Sequence, residues 1–164
     1  MPSPGRDLER DRGRRRAPRP VAAREAGNRL PPHGIARERT ITVTFNHTII
    51  AAKDRQESAR FFRELFELEP APSWGVFTNI LLDQGVLLQF AEPPVEIQMQ
   101  HYAFLVDDEL FDRAYARIRE RGLDHWADPQ MKRPGQTNTE HGGRGVYFMD
   151  PAGHGIEMIT RPYL

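Results

Sequence analysis

Three polar residues fall inside stretches that otherwise read as apolar β-strand. His47 lies in NHTIIAAKD, His101 in QHYAFLVDD and Glu157 in GIEMIT. A carboxylate inside a buried strand is costly unless a partner offsets its charge. Two neutral imidazoles and one carboxylate satisfy one another when a divalent cation stands among them. Such a 2-His-1-carboxylate set leaves positions open for substrate or dioxygen. A lone strand histidine is more often a hydrogen-bonded core or edge residue than a ligand. Here the spacing repeats: His47 lies seven residues before Asp54, and His101 seven before Asp108, with TIIAAK and YAFLVD between. Matched positions and Glu157 together favour metal binding over packing. His47 and His101 are expected to face each other across a shared cavity.

The elements that must hold these residues also repeat. TITVTFNHTIIAA reads as a β-branched strand, and Asp54 can cap a helix whose apolar positions include Phe61, Phe62, Leu65 and Phe66. Pro70 and Pro72 end that helix. GVFTNILLD and GVLLQFA are two strands around the turn Asp83-Gln84-Gly85. The order then recurs. VEIQMQHYAFLV is a strand, and Asp107 or Asp108 caps a helix with Phe111, Ala114, Tyr115 and Ile118 on one face and Gly122 past its end. A short strand over 123–127, a polar loop over 128–144, GVYFMD and GIEMIT follow. The chain therefore reads β-α-β-β-β twice, an α+β fold of two modules with pseudo-twofold symmetry. Module one is expected over 39–94 and module two over 95–164. By that symmetry the counterpart of Glu157 falls near Gln89, a neutral side chain better suited to lining the cavity than to ligating.

Composition separates this domain from what precedes it. Residues 1–40 hold 11 of the 23 basic residues and 5 of the 23 acidic ones, so the net charge of zero hides a basic tail on an acidic domain. Residues 1–36 carry six prolines and no aromatic residue. Such a segment cannot bury enough apolar surface to offset its ordering entropy, and residues 1–38 are expected to be disordered. No aromatic interleaves the arginines, so nucleic acid is not the expected partner. With no cysteine, disulfides and thiolate metal sites are excluded. No apolar run reaches the ~20 residues of a membrane span. A cytoplasmic protein is expected.

The motifs FNHTIIAAKD, HYAFLVDD and above all GGRGVYFMDPAGHGIEMIT resemble those of the vicinal oxygen chelate superfamily. That group includes glyoxalase I, bleomycin-resistance proteins, fosfomycin-modifying enzymes and extradiol dioxygenases. The resemblance spans about residues 41–163. It implies paired βαβββ modules that form a cupped sheet around one divalent metal, with His47, His101 and Glu157 as ligands. Fe(II) or Mn(II) is favoured; Ni(II), Co(II) and Zn(II) also suit the donor set. The run Val146-Tyr147, Asp150-Pro151-Ala152-Gly153, Glu157 is similar to the extradiol signature, although no second histidine lies between His47 and His101. A ring-cleaving dioxygenase or lyase is the expected activity. A glyoxalase-like isomerase or thiol transferase, and a metal-free binder of antibiotics, are the alternatives. Gln89 in place of a carboxylate weakens the isomerase option. Tyr147 and His141 are the acid–base candidates, while Gln89, Arg144 and Trp126 are candidates for contacting a small-molecule substrate. A homodimer is expected by the same resemblance.

Overall fold

Two aspartates begin the two helices. The Asp54 carboxylate accepts from the backbone N–H groups of Gln56 and Glu57 at 2.8 and 2.9 Å, which holds its pKa below the ordinary value. Helix α1 then runs Arg55–Phe66 and stops at Glu67, whose φ of 57° is left-handed. Asp107, rather than Asp108, caps α2 (Asp108–Glu120) by accepting from Leu110 N–H at 2.7 Å. These caps satisfy donors that a helix start leaves unpaired. The computed structural model describes residues 43–164. The tail expected over residues 1–38, and any nucleic-acid contact by it, lies outside the described residues.

The strands are β1 (His47–Ala51), β2 (Thr78–Leu81), β3 (Leu87–Ala91), β4 (His101–Leu105), β5 (His125–Trp126), β6 (Gly145–Met149) and β7 (Gly155–Ile159). They form two mixed sheets, ordered β1-β3-β2 and β4-β7-β6-β5. In each, the first strand pairs parallel with the last, and the last pairs antiparallel with the one before it. Among the described residues, module one lacks its expected extra strand. Only a single bridge, Pro70 to Ile80, stands where module two has β5. Proline has no N–H to give a ladder, and Pro72 follows two residues later.

Both modules share one core. Phe62 of α1 stacks on Phe90 of β3 at 5.4 Å and meets Phe104 of β4 at 5.6 Å. Phe61 of the same helix reaches Phe148 of β6 at 6.3 Å. The alternating residues point the other way: His47 and Ile49 on β1, and His101, Ala103 and Leu105 on β4, are exposed. Period-two alternation thus puts both histidines on the faces opposite the helices.

A buried histidine joins the modules. His154, fully buried, accepts from Gln100 N–H at Nδ1 (3.1 Å) and donates from Nε2 to the Ala51 carbonyl (2.8 Å). Its own N–H is held by Asp150 Oδ1 at 2.7 Å. Burial pushes the Asp150 carboxyl up. Gly153, at φ 93°, supplies the turn that brings His154 back toward Asp150.

Candidate metal centre

The register of β7 builds the site. Ala103 and Tyr147 flank Glu157 on β4 and β6, and His101 lies two residues before Ala103. Glu157 is 3% exposed, yet its carboxylate is fully engaged. Oε1 accepts from the Tyr147 hydroxyl at 2.5 Å and from the Tyr163 hydroxyl at 2.6 Å. Oε2 faces His101 Nε2 at 3.2 Å. Two donors on adjacent positions of one divalent ion, each at about 2.1 Å, stand about 3 Å apart. The His101–Glu157 pair therefore fits a shared cation, and without one the imidazole N–H can donate to the carboxylate. Burial, followed by the hydrogen bond to Glu157, raises the Tyr147 phenol well above its ordinary value, so it keeps its proton.

His47 does not join them within one chain. It sits on the outer strand of the other sheet, exposed, with Nδ1 2.8 Å from Asn46 Oδ1. Among the described residues no three imidazole or carboxylate groups gather as a metal cluster. The expected face-to-face pairing of His47 and His101 is thus not made inside one copy.

The register does place Gln89 as the module-one counterpart of Glu157. His101 pairs with Gly155, two residues before Glu157, and His47 pairs with Leu87, two before Gln89. Asn79 occupies the place of Tyr147, and the buried Gln89 donates to its Oδ1 at 3.2 Å. Gln89 thus belongs to the His47 sheet.

Arg144 is taken elsewhere. Its guanidinium bonds Asp112 at 2.5 Å and the Asp108 carbonyl at 2.7 Å, and lies 4.5 Å over the Phe111 ring. The expected substrate contact by Arg144 is replaced by a clamp on α2. Hydrogen bonds to two carboxylates and packing on an aromatic face use the side chain that a substrate would need. His141 lies on the exposed loop with φ 55°, its ring tilted against that of Tyr163 with centroids 4.3 Å apart. Trp126 lines a cavity of about 230 Å³ with Met99, Pro129 and Met131, and His101 and Tyr147 open onto it. Tyr163 went unnoticed in the sequence, because a terminal coil carries no periodicity to show where a side chain returns.

A histidine and a glutamate brought together on neighbouring strands of a paired-module fold agree with the family that the sequence matches. The chain belongs to the glyoxalase/bleomycin resistance protein/dioxygenase superfamily, whose profile matches residues 44–158. It is 31% identical over 121 residues to glutathione transferase FosA of Serratia marcescens, covering 70% of this chain and 79% of that protein. Among solved structures it is similar to oxidase ChaP-H1, with 52% identity, a TM-score of 0.71, and 74% and 98% of the two chains covered. Oxidase ChaP-H2 gives 49% identity and a TM-score of 0.72 over 75% and 97%. No helix among the described residues is long and apolar enough to cross a membrane.

Proposed function

We propose that this chain is a divalent-metal-dependent enzyme that oxidises a small aromatic substrate bearing two adjacent oxygens. Dioxygen is the oxidant, in the manner of an extradiol-type ring-cleaving dioxygenase. In that reaction both oxygen atoms enter the product and no external reductant is consumed. A lyase acting on the same chelated substrate is the variant that consumes no oxygen.

The observation that carries this reading is the cavity wall. Trp126, Met99, Pro129, Met131 and Phe148 line it, and no Lys or Arg does. Such a wall suits a flat apolar ring, with the polar groups at one end to orient it. The 52% and 49% identities to proteins named oxidases support the same reaction class. A second reading, thiol transfer, has the 31% identity to FosA in its favour.

His101 and Glu157 would hold the metal from this chain, with His47 of a second copy as the third ligand. The faces of β1 and β4 opposite the helices carry exposed Ile49 and Leu105, and exposed Phe45 precedes β1, an apolar surface suited to a homodimer. When bound, the metal polarises the substrate oxygens as a Lewis acid. Tyr147 keeps its proton and fixes Glu157. Trp126 and the two methionines exclude water and orient the ring. His141 stands on its loop as the remaining proton carrier. Fe(II) or Mn(II) suits the donor set and the oxidant.

An oxygen electrode tests this with protein loaded anaerobically with Fe(II) or Mn(II) and a panel of catechols. Oxygen uptake that disappears in Glu157→Ala is expected. Silence across the panel, with glutathione consumed in the presence of fosfomycin, would transfer the assignment to the thiol reaction.

A further inference from the structure

The carboxy-terminal segment reaches into the centre although it follows the last strand. Three anchors seat it. Thr160 N–H donates to the Arg144 carbonyl at 3.0 Å, Arg161 bonds Asp108 at 3.1 Å, and the Tyr163 ring packs tilted against His141. A fourth feature is steric. A Cβ on Gly143 would lie 2.8 Å from the Arg161 side chain and 2.9 Å from its backbone nitrogen, so only glycine lets the loop lie against the segment this closely. The Tyr163 hydroxyl is thus brought 2.6 Å from Glu157 Oε1 by a built seat.

The consequence lies in how Glu157 is divided. A carboxylate has about four lone-pair sites and can ligate through one oxygen or both. Two phenols occupy Oε1 at 2.5 and 2.6 Å, the range of short O–H···O⁻ bonds to an ionised acceptor. Only Oε2 remains, on the side of His101 Nε2. Tyr147 lies on a strand beside Glu157, but Tyr163 is six residues past it, so the second phenol is an addition of the terminal segment.

Resting on the metal site proposed above, we propose that Tyr163 is a positioning residue. Its hydroxyl, with that of Tyr147, holds Oε1 of Glu157 and leaves Oε2 as the single oxygen offered to a divalent cation. The terminal segment thereby becomes part of the metal centre and keeps a coordination position free for substrate.

Co(II) titration of the full chain tests this, read by its visible absorption and by affinity, for the parent, Tyr163→Phe and a control lacking only Leu164. Tyr163→Phe is expected to bind Co(II) about 10–100-fold more weakly, the usual consequence of removing a partner that orients a ligand. Its visible band should weaken as the second Glu157 oxygen joins the metal. Tyr163 is half exposed, so the melting temperature in chelator should stay within about 2 °C of the parent. The Leu164 deletion should change none of these. Affinity within twofold of the parent and a superimposable spectrum would overturn the proposal. So would a loss of affinity matched by a loss of metal-free stability, because the segment would then act on folding. A parent chain that takes up no Co(II) would overturn the metal site itself, and the proposal with it.

Discussion

His154→Phe isolates the two hydrogen bonds of the ring that joins the modules, one to Gln100 of its own module and one across to Ala51. Phenylalanine keeps a flat ring and is somewhat larger, so the change removes polar contacts without opening a cavity. It leaves Gln100 N–H and the Ala51 carbonyl without the partner they have in the parent. A buried group left unsatisfied costs about 1–3 kcal/mol; Gln100 is exposed and both bonds are only part-buried, so the pair costs about 2–4 kcal/mol. A folded part of about 120 residues has an unfolding entropy of about 0.25 kcal/mol/K, so the melting temperature should fall by about 8–16 °C. Calorimetry in chelator measures it directly. His154→Gln, whose amide offers both N–H donors and a carbonyl acceptor, should recover part of the loss. Gln100 directly precedes His101, so His154→Phe should also weaken metal binding. A melting temperature within about 2 °C of the parent would refute the claim that this ring is the polar joint between the modules.

The remaining predictions are more local. Arg113 and Arg117, by hydrogen bonds to Glu67, hold its carboxyl down to about 2 from an ordinary 4.5. Because the folded-state value is the lower one, the stabilisation is complete above the ordinary value and lost as pH falls toward about 2. Glu67→Gln should therefore melt lower than the parent at pH 7, and the gap should close between about pH 5 and pH 2; a gap constant with pH would contradict this. Arg144→Ala should cost about 1–2 kcal/mol of stability through the lost clamp on Asp108, Asp112 and Phe111. Its metal affinity and KM should match those of the parent, and a raised KM would return Arg144 to the substrate site.

The module repeat could be read from the chain because helix caps and strand alternation are local. Asp54 and Asp107 begin the helices, seven residues after His47 and six after His101, so the caps mark the correspondence of the modules to within one residue. That correspondence extended to Gln89 and Glu157, whose registers match. The reduced strand at Pro70 was also present in the sequence, in two prolines that remove ladder donors. What stayed hidden depends on contacts distant along the chain. The terminal segment's return to Glu157 is set by its seat on the 141–143 loop, and His154's role by Ala51, 103 residues away. The separation of His47 from His101 follows from which sheet faces which. Pseudo-symmetry of the sequence is the same whether two modules close on each other or on those of a second copy.

The most direct test of the proposed centre mixes two defective chains. His47→Ala and Glu157→Ala should each bind no stoichiometric Mn(II) or Fe(II), while the parent binds about one ion per chain. If His47 of one copy completes the site of another, a mixed dimer holds one intact site. Random reassociation of an equimolar mixture then restores about a quarter of the parent's metal content. Sites closed within each chain predict no restoration, because every chain in the mixture lacks a ligand. Recovery to about 0.25 ion per chain is the result the two-copy centre predicts; a mixture as empty as its components would contradict it.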